Sequence, residues 1–160
     1  MAELCLPGDN PAMSSARWKH KLKKFGALKG TDRWLLLRAA GWLAIARIML
    51  IAVPFKRLSE RLSSRSKSSP EMPDKDLLER IAYAVAAASN SVPWRSDCFP
   101  QAIAARLLLR RHGFDSTIHL GINRIGNQEL ESHAWLTCGE TVVTGQGNLD
   151  RFAEIYRLGA

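Results

Sequence analysis

Hydrophobic positions in this 160-residue chain change period along its length. The most apolar stretch runs from Trp34 to Val53 and is closed by Pro54. It predicts one long helix over 32–53. Twenty such residues could span a bilayer. However, Arg38 and Arg47 interrupt the run on opposite helix faces, and basic residues flank both ends without a positive-inside bias. A mostly buried helix is the favoured reading, and a membrane-peripheral role stays open. Before it, residues 17–30 (RWKHKLKKFGALKG) space Trp18, Leu22 and Phe25 as a short basic amphipathic piece. That piece is either a docking patch or a solvated first helix.

Residues 1–16 lack any period and predict a disordered tail, with Met1 and Met13 both available as translation starts. The Ser/Pro-rich stretch 62–73 reads as a linker. Asp74 or Asp76 then caps a helix to about Ser89, with Leu77, Leu78, Ile81, Ala84, Val85 and Ala88 on one face. Asn90-Ser91-Val92-Pro93 breaks it. Ser96 or Asp97 caps a further helix from Cys98 to His112, ended by Gly113. Thereafter the period falls to two. Strands are predicted over 117–122, 129–138 and 141–144, with turns at Gly126-Asn127 and Gly139-Glu140. A last helix is predicted over 150–158. Helices first, then a cysteine-bearing helix on a small antiparallel sheet, describe an α+β fold. Residues 17–67 form a basic, apolar helical region and 68–160 the domain that carries the chemistry.

Composition narrows the classes. With 46% hydrophobic and 24% charged residues, a wholly disordered chain is excluded. The net charge of +8 is unevenly divided. Residues 1–67 hold 14 Lys/Arg against four acidic residues, +10, whereas 68–160 hold nine against eleven, −2. A uniformly basic coat for nucleic acid is therefore disfavoured. Cys5, Cys98 and Cys138 are odd in number and unrelated in spacing, which argues against a disulfide framework or a structural zinc site. No secretory signal is visible, and a reducing cytoplasm is the expected compartment. No cofactor or metal is implied.

Cys98 is the one cysteine placed for chemistry. Opening a helix, it sits by unpaired N–H groups and the positive dipole end, which favour a thiolate and could hold an oxyanion. His20 belongs to the basic piece, and His112 sits where it would cap helix carbonyls. His119 and His133 fall on strands; His133 shares its face with Trp135, while Cys138 points to the other face. Cys98 and His133 are thus the candidate nucleophile and base. A two-residue turn at Gly139-Glu140 would set Cys138 opposite Thr141 and His133 opposite Gln146. The imidazole's orienting partner is then either Asn148, on the face of Gln146, or Asp150, the nearest carboxylate. Both could instead cap the final helix.

The run Trp94-Arg95-Ser96-Asp97-Cys98-Phe99-Pro100-Gln101-Ala102, with Leu107 to Phe114, Leu120-Gly121-Ile122 and His133-Ala134-Trp135-Leu136, resembles the transglutaminase-like cysteine proteases of lasso-peptide biosynthesis. These are the B proteins, or the C-terminal half where B is fused to a leader-recognition domain. The stretch from Asp32 to Leu62 is similar to their N-terminal helices, so the resemblance covers roughly residues 17–160. It implies a transglutaminase-like, papain-like core that removes the leader from a ribosomally made precursor peptide. In that family Cys98 matches the nucleophile and His133 the general base. The family's acid falls about a dozen residues after the histidine, where this chain has Gly145, which leaves Asn148 or Asp150 to substitute. The resemblance also implies partners: a separate small leader-recognition protein, docking on the basic first third, and an ATP-dependent lasso cyclase. Two other classes compete with the peptidase. One is a catalytically silent transglutaminase-like scaffold for a peptide or partner protein. The other is a basic membrane- or nucleic-acid-associated protein resting on residues 17–67.

Overall fold

The computed structural model describes residues 30–63, 72–94, 96–125 and 129–159. The expected tail, the basic piece 17–29, most of the linker and the Gly126-Asn127 turn lie outside them. Among the described residues four helices come first: α1 (Gly30–Ala52), α2 (Phe55–Ser63), α3 (Lys75–Ser89) and α4 (Cys98–Arg111). A sheet of β1 (Thr117–Ile125), β2 (Glu129–Cys138), β3 (Thr141–Thr144) and β4 (Ala153–Leu158) follows, with one 3-10 turn at Leu149–Arg151. Strand order is β3-β2-β1-β4 and each neighbouring pair is antiparallel. The α+β reading holds.

Local chemistry accounts for the helix ends. Pro54 follows α1 and has no N–H to continue the ladder. Asp74 caps α3 by accepting from the Asp76 N–H at 3.4 Å. The C-terminal end of α4 closes on His112, after which Gly113 takes φ +85°.

The helices cover one face of the sheet. Ala39, Leu43 and Ala46 of α1, Leu58 and Leu62 of α2, Ile81 and Val85 of α3, and Ile103, Leu108 and Leu109 of α4 form one continuous core with Ile118, Leu136, Cys138 and Leu158. Arg106 is buried in this core and donates from its guanidinium to the Leu62 carbonyl at 2.6 Å, tying α2 to α4. Burial holds its pKa below the usual arginine value, partly opposed by the Asp115 charge.

Three expectations need correction. First, α1 is not mostly buried. It packs one face on α3 and α4, and leaves Trp34, Leu37, Ile45, Ile48 and Ile51 exposed. Second, residues 150–158 are not a helix but the 3-10 turn and β4. β4 adds to the free edge of β1, where the ladder satisfies backbone groups that a short exposed helix would leave to water. Third, the β2–β3 register is not uniform. Cys138 does pair with Thr141 and Thr137 with Val142, but Leu136 then pairs with Thr144. Val143 is the extra residue of a bulge, and Thr144 is displaced by one beyond it.

Candidate active site

Cys98 is the first residue of α4, half-buried, and its thiol is free. Asp97 holds the N-cap position with extended backbone and no side-chain cap bond. Gln101 reaches back from the first turn and donates to the Ser96 carbonyl at 2.7 Å, which fixes the approach of the chain to the helix. Pro100 has no N–H, so the first turn presents the N–H groups of Cys98 and Phe99 beside the thiol. Just upstream, Trp94 Nε1 and Ser96 Oγ are buried polar atoms with no partner among the described residues.

His133 lies in the middle of β2, opposite Gly121 on β1. α4 covers β2, β3 and β1, and only residues 112–116 return the chain to the start of β1, so helix and strand run in opposite directions. Helical rise puts Cys98 about 20 Å from Arg111, and strand rise puts Gly121 about 13 Å from Thr117. The His133 ring alternates to the sheet face of Trp135 and Thr137, whereas Leu136 and Cys138 turn to the face that α4 covers. At that level β3 has already ended, and the Gly145 carbonyl and the Phe152 ring stand beside His133. The two side chains make no hydrogen bond to each other.

The imidazole is held on two sides. Its ring stacks on Phe152 at 5.1 Å between centroids and lies 6.2 Å from Trp135. Trp135 is in turn stacked on His119 at 5.3 Å. Gly121 makes room for this group: a Cβ there would come 2.8 Å from the Trp135 ring and 3.0 Å from Phe152. His133 Nε2 lies 2.9 Å from the carbonyl oxygen of Gly145. A carbonyl only accepts, so Nε2 carries a proton, and in the neutral ring Nδ1 keeps its lone pair.

Asn148 and Asp150 are both exposed, and neither hydrogen bonds to His133. The helix they were expected to cap is the 3-10 turn; Asn148 stands at its start without a side-chain cap bond. Past the bulge, Gly145 lies alongside Ala134 and Trp135, where φ is +74° and a Cβ would strike the Ala134 carbonyl oxygen and lie 2.8 Å from Trp135 Cα. No side chain fits there, and the backbone itself reaches the histidine.

The other cysteine and histidines lie elsewhere. Cys138 is buried and donates to the Asp115 carbonyl at 3.2 Å; burial, with the Asp115 charge, pushes its thiol pKa up. His119 bridges Glu154, 3.1 Å from Nδ1, and Thr137, 2.9 Å from Nε2. His112 is exposed, and desolvation with Arg38 and Arg111 holds its pKa below the ordinary value. Cys5 and His20 fall outside the described residues. Among the described residues no group of three His, Cys, Asp or Glu could hold a metal ion.

A cysteine opening a helix, that helix laid on an antiparallel sheet, and a histidine on the second strand agree with one family. The transglutaminase-like superfamily matches residues 37–157. The chain belongs to the transglutaminase-like superfamily. The match begins inside α1 and ends inside β4, so it takes in both Cys98 and His133. The superfamily includes cysteine peptidases. No curated protein and no solved structure matches the chain.

Sequence reasoning missed Gly121, Gly145 and Phe152. A glycine inside a predicted strand signals a close approach, which marks Gly121. Gly145 carried a signal too, because it stands where a carboxylate was expected.

Proposed function

We propose that this transglutaminase-like protein is a cysteine peptidase that removes the leader from a ribosomally made lasso-peptide precursor, acting with a separate leader-recognition protein. The observation that carries the peptidase reading is the His133 Nε2–Gly145 contact, because it leaves Nδ1 as the base. The peptide specificity rests on the motif resemblance of residues 94–114 and 133–136.

In this reading His133 Nδ1 takes the Cys98 proton as Sγ attacks the scissile carbonyl carbon. The oxyanion is held by the N–H groups of the first turn of α4, with Trp94 Nε1 as a further donor. The imidazolium then protonates the leaving amine as the C–N bond breaks, giving a thioester. Water, deprotonated by His133, hydrolyses the thioester and returns the thiol. The Gly145 carbonyl stands in the role of the orienting acid: it fixes ring and tautomer but adds no negative charge.

Incubating the full chain with a precursor peptide and the recognition protein tests this by mass spectrometry. Cys98→Ala is expected to abolish leader removal with an unchanged melting curve. Full processing by Cys98→Ala overturns the assignment. If wild type leaves the peptide intact and Cys98 reacts no faster with iodoacetamide than free cysteine, the scaffold reading replaces it.

A further inference from the structure

We infer that the outer face of α1 and the start of α2 is a docking surface for an anionic phospholipid bilayer, lying in the plane of the interface. Trp34, Leu37, Ile45, Ile48 and Ile51 are 42–74% exposed. At the helical repeat they fall in one arc about 120° wide along the whole of α1. Phe55, 50% exposed, follows directly at the start of α2. The opposite face is committed to the core through Ala39, Leu43 and Ala46. The exposed arc is therefore a surface in its own right, not the leftover of a loosely packed helix.

Charge selects the occupant. Arg38 and Arg47 are both half-buried, and the helical repeat puts one at each edge of the apolar arc. Their stems can lie on apolar surface while the guanidinium groups reach phosphates at headgroup level. Lys56 and Arg57 are exposed just past the arc's end, and no acidic residue stands between Trp34 and Arg57. Residues 17–29 carry Arg17, Lys19, Lys21, Lys23, Lys24 and Lys29 and no acidic residue. The same segment adds attraction to an anionic surface. An apolar strip edged by arginines matches the pattern of an interfacial helix.

Trp34–Ala52 is also long and apolar enough to span a bilayer by length and composition. Spanning would pull Ala39, Leu43 and Ala46 out of the core and draw both arginines into hydrocarbon. Lying in the interface keeps both sets of contacts.

Flotation of the full-length protein with vesicles tests the surface. One set is phosphatidylcholine alone; the other contains phosphatidylglycerol at about one third. Wild type is expected to bind the anionic vesicles at least tenfold more tightly. Ile48→Glu and, separately, Leu37→Glu should each lower that binding about tenfold or more. Arg38→Gln with Arg47→Gln should remove most of the preference for the anionic set. Melting curves and Cys98 labelling identify any variant that has failed to fold. Equal binding to both vesicle types, or binding indifferent to Ile48→Glu and Leu37→Glu in folded protein, overturns the inference. So does absence of vesicle binding, and a self-association relieved by Ile48→Glu would then assign the face to a second copy of the chain. Resistance to alkaline carbonate extraction would also overturn it, in favour of a spanning helix.

Discussion

At Gly145 two demands meet in one residue. The position needs a left-handed backbone and has no room for a Cβ, and its carbonyl is what His133 holds. Gly145→Ala is therefore expected to cost activity through His133. Displacing the acceptor frees the ring to rotate, and loss of orientation of this kind costs on the order of 100-fold in rate. The readout that separates this from general destabilisation is the pH–rate profile, whose basic-group limb should shift in the folded fraction. By contrast, Asn148→Ala and Asp150→Ala should leave rate and profile nearly unchanged; a large loss in either would restore the side chain as the orienting group. Thiol chemistry should divide in the same local way. Brief iodoacetamide treatment of native protein, followed by peptide mapping, should modify Cys98 and spare Cys138, which is 1% exposed and held protonated by burial. Denaturant should make both reactive.

Among the elements, β4 depends most visibly on charge. Glu154 accepts from Arg157 Nε at 2.6 Å and faces His119 Nδ1 at 3.1 Å, joining the edge strand to β1. Arg157, opposed by burial and aided by His119, holds the Glu154 pKa below the ordinary glutamate value. A depressed carboxylate pKa means the unfolded chain binds its proton first. The contribution is thus present above the ordinary glutamate range and is lost as pH falls through the folded value. Glu154→Gln should accordingly speed amide exchange along β4 at neutral pH, and acidification should add little further change in that variant. Most elements were legible because period and caps agree: α3, α4, β2 and β3 follow from apolar spacing, Asp74, Gly113 and the Gly139-Glu140 turn. β4 was not legible, because an edge strand exposed at Ala153 to Arg157 lacks a clean alternation. The bulge at Val143 was illegible for a different reason. It inserts one residue without any local marker, since valine is an ordinary strand residue. A regular hairpin set Gln146 opposite His133 and pointed to Asn148 or Asp150, whereas the partner the ring meets is a backbone carbonyl, which no residue type marks.

For the whole molecule, helices and sheet share one core, and Arg106 is its polar fastening. Arg106→Ala would leave the Leu62 carbonyl without its donor and open a cavity between α2 and α4. The expected loss is about 3 kcal/mol of unfolding free energy by denaturant titration, with Arg106→Lys recovering part of it. A loss under about 0.5 kcal/mol would mean that desolvation of the guanidinium already cancels what its hydrogen bond contributes. Candidate chemistry was partly readable at this scale: Cys98 and His133 follow from residue type and element. How α4 is laid on the sheet depends on the reversal at Gly113, which no local pattern encodes. The close packing at Gly145 also bears on design. A carboxylate cannot be grafted beside His133 by changing Gly145 alone, because the Ala134 carbonyl and Trp135 fill the space a side chain would occupy. An acid for this imidazole has to come from another position, so no single substitution at Gly145 turns the backbone-held histidine into a charge-paired one.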